Sequence, residues 1–368
     1  GKYDTNDGGN YEYSLGLNGL GLCATQYASE YMDAEIHTGG FKYLLHFEKG
    51  EIAGDMIKEP YNKRDTGSRI RWKPDLKVFT DINIPLSYFQ ETIKRQSVVN
   101  AGIKFILKDQ ISGNSFETYE YIYDNGITDY VKEIANGTEM SSVQFWSAER
   151  TGRDRADMKD YRVKITASLC FSNKIQLKEY YHNSSFLEHG GAPEKAFRSA
   201  FVAEIDNYLK TNGKYLKSDS KINYQDVEDC LIFVVSSFST QTSYENQTKK
   251  AITNTFIAKA MTEFFSKTLE SFFAENPSET DKICQRILIN KRSRESAEHL
   301  RRDVKKKLTT TLDINNTVEK FVPCRSKDPE ICELYIVEGD SALGSVKLAR
   351  DAEFQAVIPV RGKILNCL

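Results

Sequence analysis

The chain has 368 residues, 40% of them apolar, which is enough to bury more than one core; at roughly 100 to 200 residues per domain it should hold two or three domains. A formal net charge of -2 excludes a uniformly basic nucleic-acid coat, so any contact with nucleic acid has to come from a local cluster of positive charge. The seven cysteines (Cys23, Cys170, Cys230, Cys284, Cys324, Cys332 and Cys367) are scattered, with no C-x-x-C pair, and read as reduced thiols of a cytosolic protein.

The chain opens without methionine in a Gly/Asn/Asp stretch that reads as the inside of a loop, so a fragment of a longer protein is expected. No signal segment follows, and the longest apolar run, 230–235, is far too short to span a bilayer; no membrane contact is expected. Gly16, Gly19 and Gly21 then form a glycine turn feeding a helix whose apolar residues are Leu22, Ala24, Tyr27, Ala28 and Tyr31. Strands are predicted at 41–48, 68–72, 103–108 and 116–123, with an amphipathic helix over 85–100. A second block from about Gly126 carries strands at 143–148, 161–171, 175–181 and 229–237, and Pro193 starts a helix running to about Leu209. From about Lys249 to Lys307 the chain is almost all helix former, broken at Asn276-Pro277-Ser278, where Ser278 suits a cap. A polar linker over 308–330 leads to a strand at 333–337 that runs into Glu338-Gly339-Asp340. The fold class is α/β, multidomain.

Four places could carry chemistry. The glycine turn removes side chains where a backbone must approach a ligand, and the following helix start offers amides to an anion; alone, such a turn is more often only a tight connection. It is no Walker P-loop, since no Gly-Lys-Ser/Thr follows. Lys249, with Gln247 beside it on a polar loop, could swing a point charge to a terminal phosphate, or be a plain helix-start lysine. Glu338 and Asp340 emerge at the C-terminal edge of a strand, where carboxylates can hold Mg²⁺ or act as general acid/base on a phosphodiester, or form a solvated acidic turn. Farther on, Arg361 and Lys363 flank a glycine and suit phosphate contacts. A basic run from Arg286 to Lys307 gives a helix a positive stripe that could follow a duplex backbone, or a solvated face.

Taken in order, these pieces resemble one family over essentially the whole chain. Ser14-Leu-Gly-Leu-Asn-Gly-Leu-Gly21 is similar to the ATP-lid motif of GHKL ATPases, and Asp65-Thr-Gly-Ser68 with Trp72-Lys-Pro-Asp75 resembles their adenine-side strand. Gln247-Thr-Lys249 resembles a transducer loop, while Glu338-Gly-Asp-Ser-Ala342 and Pro359-Val-Arg-Gly-Lys-Ile-Leu-Asn366 look like the opening of a TOPRIM domain. That order is the one found in type IIA DNA topoisomerase B subunits, including those of bacterial gyrase and topoisomerase IV. Asn18 and Leu15 depart from the histidine and glycine usual in bacterial members, asparagine being similar to the eukaryotic enzymes.

The resemblance implies the C-terminal part of a GHKL sandwich over 1–125, a transducer with long helices over 126–307, a linker over 308–330 and the start of TOPRIM over 331–368. It implies that the backbone of Gly16, Leu17, Asn18, Gly19, Leu20 and Gly21 wraps ATP, that Ser68 lies near the adenine, and that Gln247 and Lys249 reach the γ-phosphate. Glu338 would be general acid/base and a Mg²⁺ ligand, and Asp340, Ser341, Arg361 and Lys363 would meet DNA. The implied partners are double-stranded DNA, an A subunit carrying the nucleophilic tyrosine, and a second B subunit joined on ATP binding. The ATPase general base and its Mg²⁺-binding asparagine are expected before Gly1, and the remaining Mg²⁺ ligands, an Asp-x-Asp pair, beyond Leu368. The sequence alone should therefore neither hydrolyse ATP nor cut DNA. The competing readings are another ATPase of the superfamily and a DNA-binding or interaction module without catalysis.

Overall fold

The computed structural model describes residues 20–62, 64–217, 219–316 and 320–360, the side chains of 307–316 excepted, and divides the chain into two compact units, 1–290 and 291–368. Among the described residues no helix is long and apolar enough to cross a membrane.

The first unit begins with helix α1 (Leu20–Tyr27) and strands β1 (Ser29–Thr38), β2 (Phe41–Glu48), β3 (Glu51–Ile52), β4 (Ile57–Pro60) and β5 (Gly67–Pro74), which form a five-stranded antiparallel sheet in the order β3-β2-β1-β5 with β4 also on β2. The expected helix is thus shorter than the sequence suggests: Ala28 follows its end, and Tyr31 belongs to β1. Here the period-2 alternation of Met32, Ala34 and Ile36 prevails over a helical spacing that happens to include Tyr31. The Ser29 hydroxyl donates to the Thr25 carbonyl (2.6 Å) at the corner, and the Gln26 amide donates to the Gly50 carbonyl (2.7 Å). Gly50 has φ +89, and a Cβ there would stand 2.3 Å from the Tyr27 ring, so only glycine lets α1 settle against this turn.

Helix α2 (Leu86–Val99) matches the amphipathic stretch and packs on the hairpin β6 (Phe105–Ser112) and β7 (Ser115–Tyr121). After α3 (Ile127–Ala135) come β8 (Gln144–Gly152), β9 (Tyr161–Phe171), β10 (Leu177–His182), β11 (Ser185–Phe186), α4 (Ala192–Thr211), α5 (Tyr224–Glu228) and β12 (Leu231–Ser239). These strands make a mixed sheet in the order β11-β10-β12-β9-β8. Strand β12 runs parallel to β10 and antiparallel to β9, and the parallel pair needs the α4 crossover that joins it.

Central position explains why 230–235 is apolar without alternation: β12 is buried on both faces. Leu231, Phe233 and Val235 join the main core with Phe197, Phe201 and Phe265 of α4 and α6 (Thr255–Glu275), whereas Ile232 and Val234 join a second core with Val98, Ile127 and Val131 of α2 and α3. Phe197 stacks on Phe233 with ring centres 4.4 Å apart. Each fully buried phenylalanine contributes about 1.5–3 kcal/mol relative to exposure.

Two sequence expectations change here. The long helical region starts at Thr255, not near Lys249, because the intervening residues form a separate hairpin described below. Helix α7 (Pro277–Asn316) starts on Pro277, so Ser278 lies inside the helix and is no cap; proline's fixed φ suits the first helical position. The α7 backbone continues to Asn316, through the start of the expected linker.

Among its described residues the second unit contains a small parallel pair. Strand β13 (Glu333–Glu338), helix α8 (Gly339–Ala349) and strand β14 (Gln355–Val360) form a β-α-β turn in which Glu338 pairs with Val360. Before it, the backbone of Val322 exchanges hydrogen bonds with Val357 (2.8 and 2.9 Å).

Candidate functional site

Four groups of candidate residues occupy separate substructures. Gly16, Leu17, Asn18 and Gly19 lie outside the described residues, as do Arg361 and Lys363. Leu368, beyond which the remaining Mg²⁺ ligands are expected, is likewise outside them. Leu20 and Gly21 open α1 and are exposed, and among the described residues nothing lies within 4 Å of where a Gly21 side chain would sit. First-turn amides of a helix have no acceptor within it, so this end is chemically suited to an anion. Helix α1 packs on β1 and β5.

Ser68, on β5, pairs with Ile36 of β1. Register therefore puts it on the apolar sheet face, with Ala34, Ile70 and Trp72, where a flat aromatic ligand could lie. The opposite face is charged. It carries Asp33, Glu35, His46, Arg69 and Arg71 around a cavity of about 630 Å³. His46 Nδ1–H donates to the Asp33 carboxylate at 2.6 Å, and that hydrogen bond raises its pKa above the ordinary value.

Gln247 and Lys249 share one turn. It is the tip of a hairpin over 243–253 between β12 and α6, and its legs are joined by Glu245 N–H to Ala251 O (3.0 Å) and Thr253 N–H to Ser243 O (2.8 Å). Lys249 takes a left-handed conformation (φ +59), its amide donates to Asn246 O (3.2 Å), and its ammonium stands 5.7 Å from the centre of the Tyr244 ring. It is therefore a turn residue rather than a helix-start lysine. The C-terminal leg is braced by α4: the Ala192 amide donates to Ile252 O (2.9 Å), and a Cβ on Gly191 (φ +78) would lie 2.3 Å from that same oxygen. Lys250, next to the tip, pairs with Glu188.

Glu338, Asp340 and Ser341 meet at the β13–α8 junction. Glu338 is exposed at the strand end, and Gly339 takes φ +75 to turn the chain into α8, the sharp turn expected from the sequence. The Lys320 ammonium donates to both Asp340 carboxylate oxygens at 2.8 Å, so this carboxylate is already neutralised. Among the described residues no cluster of three or more potential metal-binding side chains exists. Glu338 by itself is one oxygen donor group, too few for the octahedral shell Mg²⁺ requires.

The basic run on α7 is partly committed to structure. Lys291 is buried and pairs with Glu295 at 3.3 Å, Arg294 pairs with Glu298 at 3.2 Å, and Arg286 donates to Asn173 O at 3.3 Å; Arg301, Arg302, Lys305 and Lys306 are exposed. Sequence reasoning also missed that Cys324 and Cys332 bring their sulfurs to 3.5 Å. Their spacing matches no thiol motif, and only the loop that folds back before β13 joins them. The described cysteines are free thiols.

A family model described as DNA gyrase B matches residues 126–303. The DNA gyrase B subunit of Spiroplasma citri is 30% identical over 378 residues, covering 100% of this chain and 56% of its own length, and that of Streptococcus pneumoniae is 30% identical over 361 residues, covering 98% and 54%. The chain thus spans little more than half the length of these relatives. Among solved structures, the 43K ATPase domain of Thermus thermophilus gyrase B in complex with an aminocoumarin superposes with a TM-score of 0.56 at 20% identity, covering 75% of this chain and 72% of that one. The topoisomerase IV ATP-binding domain of Francisella tularensis gives 0.57 at 19%, covering 77% and 75%. At such identities the superpositions establish the fold alone, the mixed α/β architecture shared with those two domains. The sequence matches go further in extent: over 98% or more of its length this chain is similar to DNA gyrase B subunits, and over residues 126–303 it matches their family model.

Proposed function

We propose that this chain serves a type IIA topoisomerase of the cytoplasm, coupling ATP to the passage of one DNA duplex through a transient break in another. The observation that carries the proposal is the Lys249 turn, a cation at the tip of a hairpin braced on both legs, between the central strand of one sheet and a long helix. Such a cation can register a terminal phosphate, and the rigid mounting turns its movement into movement of α6. In this reading residues 1–125 complete an ATP-binding layer, 126–307 form the transducer, 308–330 connect, and 331–368 begin the DNA-cleaving domain.

Amides at the start of α1, together with Gly16 to Gly19, hold the triphosphate; Ser68 sits near the adenine, and Gln247 and Lys249 close over the γ-phosphate. ATP then draws two B subunits together around a duplex, and hydrolysis lets them part, a two-state arrangement biased by one phosphate. At the other end Glu338 moves the proton at the scissile phosphodiester, while an A subunit supplies the tyrosine. Arg361 and Lys363 would contact the DNA backbone, with Asp340 and Ser341 beside them. A Mg²⁺ ion there would stabilise charge on the phosphate, and it needs oxygen donors in addition to Glu338.

The test uses the intact B subunit with its A partner. Lys249→Ala should slow ATP-driven closure roughly 10- to 100-fold, the worth of one charged hydrogen bond, with DNA affinity unchanged. Glu338→Ala should abolish DNA cleavage and leave ATP turnover near normal. Normal closure in the first variant, or normal cleavage in the second, would remove the corresponding residue from its role.

A further inference from the structure

A buried polar chain underlies the Lys249 hairpin. His182, the last residue of β10, is fully buried, and its ring nitrogens reach Ser237 Oγ at 2.8 Å (Nδ1) and Thr242 Oγ1 at 2.9 Å (Nε2). Direction along the chain follows from the partners. The Ser237 hydroxyl donates to Tyr181 O at 3.2 Å, so its oxygen accepts from Nδ1–H; Nε2 then accepts from the Thr242 hydroxyl, whose oxygen accepts from Asn183 Nδ2 at 3.1 Å. Asn183 closes the cluster by donating to Ser239 O (3.1 Å) and accepting from Ser239 N–H (2.9 Å).

These contacts seize the backbone where β12 leaves the sheet. Thr242 immediately precedes Ser243, the residue that starts the hairpin and whose carbonyl receives the Thr253 amide. The Ser243 amide donates to Asn254 Oδ1 at 2.8 Å, while Asn254 Nδ2 reaches Asp154 at 2.9 Å, which ties the same point to the start of α6. A hairpin whose near leg was loose would let its tip wander, and a cation that must meet one phosphate loses effect when displaced by about 1 Å.

We propose that His182 is a positioning residue for Lys249: through Thr242 it fixes the near leg of the 243–253 hairpin and so sets where the lysine ammonium stands when the nucleotide arrives. This rests on the reading of Lys249 as the γ-phosphate contact. The ring touches no nucleotide; it acts by holding the loop, as a hydroxyl-bridged anchor in which each group has its donor and acceptor satisfied.

Removing a fully buried imidazole could unfold the sheet, so the deciding variant is Thr242→Val, which keeps side-chain shape and deletes only the hydroxyl linking ring to loop. In the intact protein, Thr242→Val should lower kcat for ATP about threefold to tenfold with KM nearly unchanged, as the hydroxyl's hydrogen bonds to His182 and Asn183 are lost. Amide exchange over 243–253 should quicken by a similar factor, and Thr242→Ser should restore both. A purely structural threonine would change melting temperature and spare kcat. Lys249→Ala run alongside separates the two failures. Wild-type kcat and exchange in Thr242→Val, with kcat lowered in Lys249→Ala, overturns the His182 inference alone. Wild-type kcat in both variants overturns the Lys249 reading and the inference built on it.

Discussion

Burial has removed His182 from the range in which histidines usually titrate: desolvation pushes its pKa down to about 3, and no charged neighbour contributes to the shift. Unfolding returns it to the ordinary value near 6.5, so between about pH 6.5 and 3 the unfolded chain binds a proton that the folded chain refuses. Stability therefore falls as pH falls through that window, by at most about 1.4 kcal/mol per pH unit from this group. Thermal melts from pH 7 to 4.5 should show a shallower decline in His182→Gln than in the unchanged protein; equal slopes would place the sensitivity elsewhere. Cysteine reactivity is a second residue-scale consequence. Burial pushes the Cys170, Cys230 and Cys284 thiols up to about 12, whereas Cys23 is exposed. Brief alkylation at neutral pH, followed by peptide mass spectrometry, should find Cys23 labelled and these three only after denaturation.

Among the elements, α4 depends on one glycine. Gly191 combines a left-handed backbone with an approach to Ile252 O that leaves no room for a Cβ. Gly191→Ala should cost roughly 1–3 kcal/mol from backbone strain alone, read as a lower denaturant midpoint, and should also loosen the hairpin that carries Lys249. Gly339→Ala has open space around it but meets the same φ penalty at +75, so it should cost about 1–2 kcal/mol and spare the first unit. Legibility also divides by element. Strands such as 161–171 and the helix after Pro193 were readable because β-branched runs and a proline at a helix start are local signals. Strand β1 was not, since Tyr31 continues the helical spacing of the residues before it, and neither was the true start of α6, because helix-forming residues near Lys249 are held in a hairpin by Ile252, Ala192 and Asn254. The Glu338 turn was legible from its glycine; the Lys320 pairing that occupies Asp340 comes from 20 residues upstream and leaves no trace in local pattern.

At the scale of the molecule, the two residues proposed to carry chemistry sit in different units, Lys249 in 1–290 and Glu338 in 291–368. Substitutions at the two sites should accordingly be additive in folding stability within about 0.5 kcal/mol, checked by a double variant. The order of motifs along the sequence was enough to point to the proteins this chain is similar to; the burial of Lys291 and the sulfur contact of Cys324 with Cys332 required coordinates, because tertiary neighbours alone create them. The larger sheet carries one more implication. Its middle strand, β12, is the last of the five to be synthesised, since β8, β9, β10 and β11 all precede it. During translation β9 and β10 thus each wait with an open edge and an uncovered apolar surface, and a single late insertion closes both. Chains halted before Leu231 should be sticky and protease-sensitive, and those released after α6 should abruptly become neither, which places the vulnerable moment of this protein's birth at one strand.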